Sequence, residues 1–139
     1  MKCKLLIVDD EQKMVKYLSK RLVLRGFEVL TAFSGREALR LIKERPFDVV
    51  LLDVLMPDMD GIETLKHIKE ITPSTEVILL TGHPSAEHDG KKWGAFDYIL
   101  KPFDLNDLIG KIHLATGNRY QGSHSIGATG KAEEIDLLD

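Results

Sequence analysis

Cysteine, tryptophan and a charge excess of one sign are nearly missing from this sequence, which has one Cys, one Trp and five Pro in 139 residues. A lone Cys3 excludes an intrachain disulfide and any thiolate metal knot, which suits a reducing compartment, so a cytoplasmic location is expected. Cys3 itself reads as a semi-buried structural residue. Apolar runs stop after a few residues, too short to span a bilayer. The opening MKCKLLIVDDEQK lacks the small-residue cleavage pattern of a signal peptide, and no membrane association is expected. With 19 Lys+Arg against 22 Asp+Glu the formal net charge is -3. Without a basic excess, direct nucleic-acid binding is not expected either. No internal repeat is visible.

What is present is an ordinary globular composition, 43% hydrophobic and 29% charged, at a length that fits one domain. Apolar runs recur at Leu5–Val8, Val49–Leu52 and Val77–Leu80, with amphipathic stretches between them. That alternation predicts an α/β fold with a parallel sheet. Because these runs are apolar on successive residues, they belong at the centre of a sheet covered on both faces. Phe27–Thr31 and Tyr98–Leu100 read as edge strands.

Helices fill the gaps. Met14, Val15, Leu18 and Leu22 form a stripe that stops at Gly26. Ser34 and Glu37 form a capping box ahead of Ala38, Leu41 and Ile42, and that helix must finish before Pro46. Ile62, Leu65 and Ile68 mark a third helix, ending before Pro73. Asp104 caps a last one that buries Leu105, Leu108, Ile109 and Ile112 at i, i+3, i+4, i+7. Between Pro84 and Trp93 apolar positions are few and Gly90 interrupts the pattern, so the weakest helix is expected there. The domain is expected to cover 1–116. Residues 117–139, rich in Gly, Ser and His up to the short amphipathic stretch 132–138, read as a flexible C-terminal tail or the start of a linker.

In an open parallel sheet, ligands sit outside the carboxyl ends of the strands. Polar residues occupy those places here: Asp9 and Asp10 end the first strand, Asp53 ends the third and Thr81 the fourth, and Lys101 follows the fifth. Three carboxylates carry a charge that one divalent cation and one lysine would neutralise, and a hard cation such as Mg²⁺ takes such oxygen ligands. Asp53 is then placed to attack phosphorus as a carboxylate nucleophile. Lys101 and Thr81 are placed to stabilise the equatorial oxygens. Each residue alone has an ordinary reading, as a cap, a strand-end hydroxyl or a solvated lysine; the conjunction on successive strand ends carries the argument.

The segments Leu6-Ile7-Val8-Asp9-Asp10-Glu11, Leu51 through Gly61, Leu79-Leu80-Thr81-Gly82 and Gly94 through Phe103 together resemble the response-regulator receiver domain, in order and over roughly residues 3–116. The resemblance implies a flavodoxin-like doubly wound five-stranded parallel sheet of order 2-1-3-4-5 with five flanking helices. It implies Mg²⁺ held by Asp9, Asp10, Asp53 and the Leu55 backbone carbonyl, with Asp53 as phosphoacceptor. A histidine kinase or phosphotransfer protein is the implied donor, acting on a phosphorylation switch with an unidentified downstream effector. Thr81 and Tyr98 match the family's switch pair, and Lys101-Pro102 matches a motif whose peptide bond is usually cis. Homodimerisation through the fourth helix, fifth strand and fifth helix also follows from the family.

The sequence departs from the family between His83 and Trp93, where the usual alanine-rich helix is missing. His83 and His88 read as solvent-exposed histidines, and Trp93 as packing near a helix end. A rival reading, an aspartyl-phosphate phosphatase of the haloacid dehalogenase type, needs an Asp two residues after the nucleophile, where this chain has Leu55. A flavin-binding module is disfavoured because Asp9-Asp10-Glu11 would repel a phosphate. An apolar Leu55 beside the site predicts a shielded, long-lived aspartyl phosphate, while His83 is placed either to hold or to block the hydrolytic water.

Overall fold

In the computed structural model, residues 2–120 are described. The elements follow in the order β1 (Lys4–Val8), α1 (Gln12–Leu24), β2 (Glu28–Ala32), α2 (Gly35–Glu44), β3 (Val49–Asp53), α3 (Gly61–Ile71), β4 (Glu76–Thr81), α4 (Ala86–Lys92), β5 (Asp97–Leu100) and α5 (Leu105–Ala115). All strands are parallel in one sheet of order β2-β1-β3-β4-β5. The expected central strands are the central ones, and both expected edges are edges.

Alternation along the three central strands separates two cores. Leu5, Ile7, Val49, Leu51, Ile78 and Leu80 face a cluster closed by α1 and α5. Leu6, Val8, Val50, Leu52, Val77 and Leu79 face the other side, closed by α2 and α3. All twelve side chains are fully buried, and each leucine or isoleucine so placed contributes roughly 1.5–3 kcal/mol. That burial holds the strand ends, and the polar residues on them, in a fixed register.

Helix ends follow the capping chemistry expected from sequence, with one shift. The Ser34 hydroxyl accepts from Glu37 N at 3.1 Å, while the Glu37 carboxylate accepts from Phe33 N at 2.8 Å, one residue ahead of the cap. Asp60 accepts from Glu63 N and Asp104 from Asn106 N, at 2.8 and 2.7 Å. Gly26 ends α1 with φ 93, a conformation that favours glycine. Strand β2 begins at Glu28 rather than Phe27, because the Phe27 N–H still bonds the Leu22 carbonyl of α1 while the Glu28 N–H is the first to reach the β1 side, at the Cys3 carbonyl.

Helix α4 is short, Ala86–Lys92, and its N-cap Ser85 makes no side-chain cap bond. Gly90 has a role that composition hides. A Cβ on Gly90 would meet the Leu79 Cδ1, so the bare glycine lets α4 lie close on β4. Past α5 the chain makes a turn over 116–120, in which Tyr120 rests against the α1/α5 core and Arg119 lies 3.9 Å from Asp48. The rest of the expected tail, including the stretch 132–138, lies outside the described residues. No helix among those described is long and apolar enough to cross a membrane.

Glycines 61 and 90 predict opposite outcomes. A Cβ on Gly61 would strike the backbone of Asp53 and Val54, which cannot swing away, whereas Leu79 Cδ1 is the end of a flexible side chain. In urea denaturation, Gly61→Ala is expected to lose about 1–3 kcal/mol from overpacking. Gly90→Ala is expected to stay within about 1 kcal/mol of wild type, since helix propensity offsets the small repacking.

Candidate functional site

Four of the side chains singled out from sequence meet at the carboxyl edge of the sheet. Strand β1 lies directly beside β3, so Asp9 and Asp10 arrive next to Asp53. Carboxylate oxygens of Asp9, Asp10 and Asp53 all lie within 4.8 Å of one another. Asp9 is 1% and Asp53 7% exposed, while Asp10 stands in solvent at the rim.

Lys101, from the end of β5, reaches across β4 to both buried acids. Its Nζ donates to Asp9 Oδ2 at 2.8 Å and to Asp53 Oδ1 at 3.3 Å. The other Asp9 oxygen accepts from Glu11 N at 3.0 Å. Asp9 is thereby satisfied on both oxygens, and Asp53 retains an oxygen that Lys101 does not engage. The Lys101-Pro102 peptide bond is cis.

Electrostatics at this edge are unbalanced. Burial first, then the Asp9 charge, raise the Asp53 carboxyl from 3.8 to about 6, against the lowering pull of Lys101. For Lys101, burial opposes the charged form, but the bond to Asp9 and the charges of Asp9 and Asp53 outweigh it and raise the ammonium above its ordinary value. One lysine does not neutralise three carboxylates. A set of three hard oxygen donors with that residual charge fits a small divalent cation.

The loop after β3 is tied down from two sides. Gly61 N donates to the Val54 carbonyl at 2.7 Å, folding the loop back onto the strand end. The exposed Asp58 carboxylate takes Arg36 N at 3.4 Å. Slight burial raises the Asp58 carboxyl, but bonds from the backbone of Met59, Arg36 and Gly35 outweigh it and hold it below its usual range. Sequence reasoning missed Asp58. Its partner, Arg36 N in the first turn of α2, is 22 residues away in sequence, so no local signal marked it. Leu55, within this loop, is 63% exposed.

Thr81 is buried at the end of β4, but its hydroxyl serves the next loop. Thr81 Oγ1 accepts from His83 N at 3.0 Å and lies 3.2 Å from the His83 carbonyl. The Tyr98 ring packs against the α2/α3 core while its hydroxyl, in solvent, hydrogen-bonds the Glu87 carboxylate of α4, which raises the phenol above its ordinary value. Glu87 was not singled out from sequence, since nothing local marks a glutamate as the partner of a tyrosine on the next strand. Elsewhere, burial pushes the Cys3 thiol up to about 12, as a structural cysteine requires. His83 and His88 are exposed, and the only grouping of metal-ligating side chains among the described residues is Asp9, Asp10 and Asp53.

Comparison with known proteins agrees with this geometry. The family model described as the response regulator receiver domain matches residues 5–113. The regulatory protein AtoC of Escherichia coli (strain K12) is 45% identical over 107 residues, covering 76% of this chain and 23% of its own length. The transcriptional regulatory protein ZraR of the same organism is 40% identical over 126 residues, covering 89% and 28%. The chain thus spans about a quarter of the length of these curated relatives. Among solved structures, the chemotaxis protein CheY4 of Vibrio cholerae superposes with TM-score 0.78 at 34% identity, over 83% of this chain and 99% of its own. A response regulator receiver domain from Clostridium thermocellum does so with TM-score 0.80 at 38% identity, over 86% and 98%.

The raised Asp53 pKa makes a signed prediction for the metal-free protein. The folded state binds this proton more tightly than the unfolded chain, so the ionised carboxylate costs stability above about pH 6 and the cost vanishes as pH falls toward 3.8. A shift of about two units corresponds to at most about 3 kcal/mol, reduced where Lys101 screens the charge. Asp53→Asn is therefore expected to raise stability by about 1–3 kcal/mol at pH 7.5 without divalent cations. Chemical denaturation should find that gain shrinking between pH 6 and pH 4.

Proposed function

The chain belongs to the response regulator receiver domain family, and on that premise we propose that it is a phosphorylation switch whose phosphoacceptor is Asp53. The observation that carries the reading is the Asp9–Asp10–Asp53 cluster with Lys101 bridging its two buried members. The unengaged oxygen of Asp53 forms the new bond to phosphorus as the bond between phosphorus and the donor nitrogen or oxygen breaks, and the leaving group departs from the opposite side. A histidine kinase or phosphotransfer protein is the donor, in the cytoplasm.

Asp9, Asp10, Asp53 and the Leu55 carbonyl are the residues that would hold Mg²⁺. When bound, the cation supplies the positive charge that lets a phosphoryl group approach three carboxylates. Lys101 keeps its ammonium charge and moves from the Asp53 carboxylate to a phosphoryl oxygen, a shift of partner within the same crevice. Thr81 exchanges its bonds to the His83 backbone for another phosphoryl oxygen. Tyr98, whose hydroxyl is held outward by Glu87, then turns toward the space that Thr81 leaves.

Output follows from the weakness of α4. With only Ala86 and Gly90 buried, this helix has little apolar burial to lose, so one new bond at Thr81 shifts its population. The face of α4, β5 and α5 presents exposed Leu100 and Leu114 to a downstream effector or a second copy of the chain.

Incubation with acetyl phosphate and Mg²⁺ is expected to add one phosphoryl mass, absent with Asp53→Asn and without the cation; equal labelling of Asp53→Asn excludes the assignment. With beryllofluoride and Mg²⁺, amide exchange is expected to change most between residues 82 and 103. A uniform change over α1 instead removes the switch account.

Lifetime is set at the mouth of the site. Leu55 cannot orient an in-line water, so the phosphorylated form is expected to persist. Leu55→Asn supplies such a polar group and is expected to accelerate autodephosphorylation several-fold with Mg²⁺ present. A rate that is unchanged or slower contradicts the shielding argument.

A further inference from the structure

We infer that the acidic segment at residues 132–139 of this chain docks on the exposed face of α1, a contact that does not depend on the phosphoacceptor reading. Helix α1 is the most one-sided element of the protein. From residue 12 to residue 25 it carries Lys13, Lys16, Lys20, Arg21 and Arg25 with no Asp or Glu, in a chain whose net charge is -3. Helical spacing sets Lys13, Tyr17, Lys20 and Leu24 along one strip, with Lys16 and Val23 beside it. The lysines are exposed, and Tyr17, Val23 and Leu24 are 45%, 53% and 79% exposed. Such a surface, basic along its length and apolar toward its end, selects a ligand that is both acidic and apolar.

Beyond α5 the sequence has one such segment. Residues 132–139 read Ala-Glu-Glu-Ile-Asp-Leu-Leu-Asp, with carboxylates at Glu133, Glu134, Asp136 and Asp139, no cation, and Ile135, Leu137 and Leu138 between them. Nothing between residues 116 and 131 has this composition: that stretch holds four Gly, two Ser, one His and two cations, Arg119 and Lys131, among other uncharged residues, with no Asp or Glu.

The exit of the chain points the same way. Tyr120 rests against the core into which α1 sends Met14, Val15, Leu18 and Leu22, and Arg119 lies beside Asp48 just ahead of β3. Helix α1 runs back from the carboxyl edge of the sheet to its amino edge, so its last turn, with Val23 and Leu24, ends at the edge where Asp48 precedes β3 and Arg119 lies. Residues 121–131 are eleven in all and span at most about 36–40 Å when extended, against about 20 Å for the length of α1. Every position on the strip is within reach. Exposed ion pairs are individually weak, but a tether of this length holds the segment at an effective concentration on the order of millimolar, and burial of Val23 and Leu24 adds to the charge attraction.

The other basic and aromatic patch is less suited. Trp93 is 42% exposed beside Lys66 and Lys92, but the Lys66 ammonium lies 3.9 Å over its ring, closer than the Arg21 guanidinium on α1 comes to the Tyr17 ring at 5.6 Å. The patch also belongs to the α3/α4 side of the sheet, away from where Tyr120 leaves the core.

The test uses the full 139-residue chain. Cys3 is buried with its thiol pushed up to about 12, so a nitroxide reagent will react selectively with the single introduced thiol of Ala132→Cys. Amide NMR intensities are then compared before and after the nitroxide is reduced. At low salt, amides of residues 16–24 are expected to lose more than half their intensity, and to regain it near 1 M salt, where the Debye length is about 3 Å. Lys16→Glu with Lys20→Glu is expected to abolish the effect, and adding Glu133→Lys and Glu134→Lys to that variant to restore it. Should the α1 variant fail to fold by circular dichroism, Glu133→Lys, Glu134→Lys and Asp136→Lys in an otherwise unaltered chain must abolish the effect alone. Broadening centred on Trp93 and α4, or spread evenly over the surface, overturns the inference. So does broadening transferred to unlabelled chains in a mixture, which would make the occupant's source a second copy.

Discussion

The Lys101 ammonium, shared between Asp9 and Asp53, is the interaction on which the carboxyl edge of this sheet depends. Two carboxylates with almost no solvent contact cannot sit side by side without a compensating charge. The strand order provides it. With β1 beside β3 the two acids become neighbours, and with β5 one strand beyond β4 a long side chain is needed to reach them, which lysine supplies. Compensation is incomplete, as the raised Asp53 carboxyl records. The residual negative charge is what the cation of the proposed function would balance.

Around that crevice the loops differ in how firmly they are held. The β3–α3 loop is fastened by Gly61 against the Asp53 and Val54 backbone and by Asp58 across to α2. The β4–α4 loop is fastened mainly through Thr81 to His83, and beyond it lies a seven-residue helix that buries little. A change of charge at Asp53 therefore meets resistance on the α2/α3 side and little on the α4 side. The Tyr98 hydroxyl on Glu87 extends the yielding side to β5. Direction in the proposed switch comes from this asymmetry of packing more than from any property of the phosphoacceptor.

The layer architecture and the division into central and edge strands were accessible from residue pattern because apolar burial on two faces leaves a visible mark: successive apolar residues in β1, β3 and β4, and i, i+3, i+4, i+7 spacing in α5. The full strand order came only with the family resemblance. Caps at Ser34, Asp60 and Asp104 obey rules that span a few residues, and Ser34 and Asp104 were legible for that reason. Gly90 was misleading. As a helix residue it is a poor choice, and only the approach of α4 to Leu79 gives it a purpose.

What the sequence determined by itself is the inventory at the strand ends, Asp9, Asp10, Asp53, Thr81 and Lys101, because strand-end placement follows from where each apolar run stops. What only tertiary structure decided is how that inventory divides. Lys101 holds Asp9 more closely than Asp53, Thr81 turns to His83, Asp58 serves a helix remote in sequence, and Glu87 takes the Tyr98 hydroxyl. The reason is physical: hydrophobic pattern is written in each segment separately, whereas the choice among competing hydrogen-bond and charge partners depends on distances that exist only once all the segments are packed.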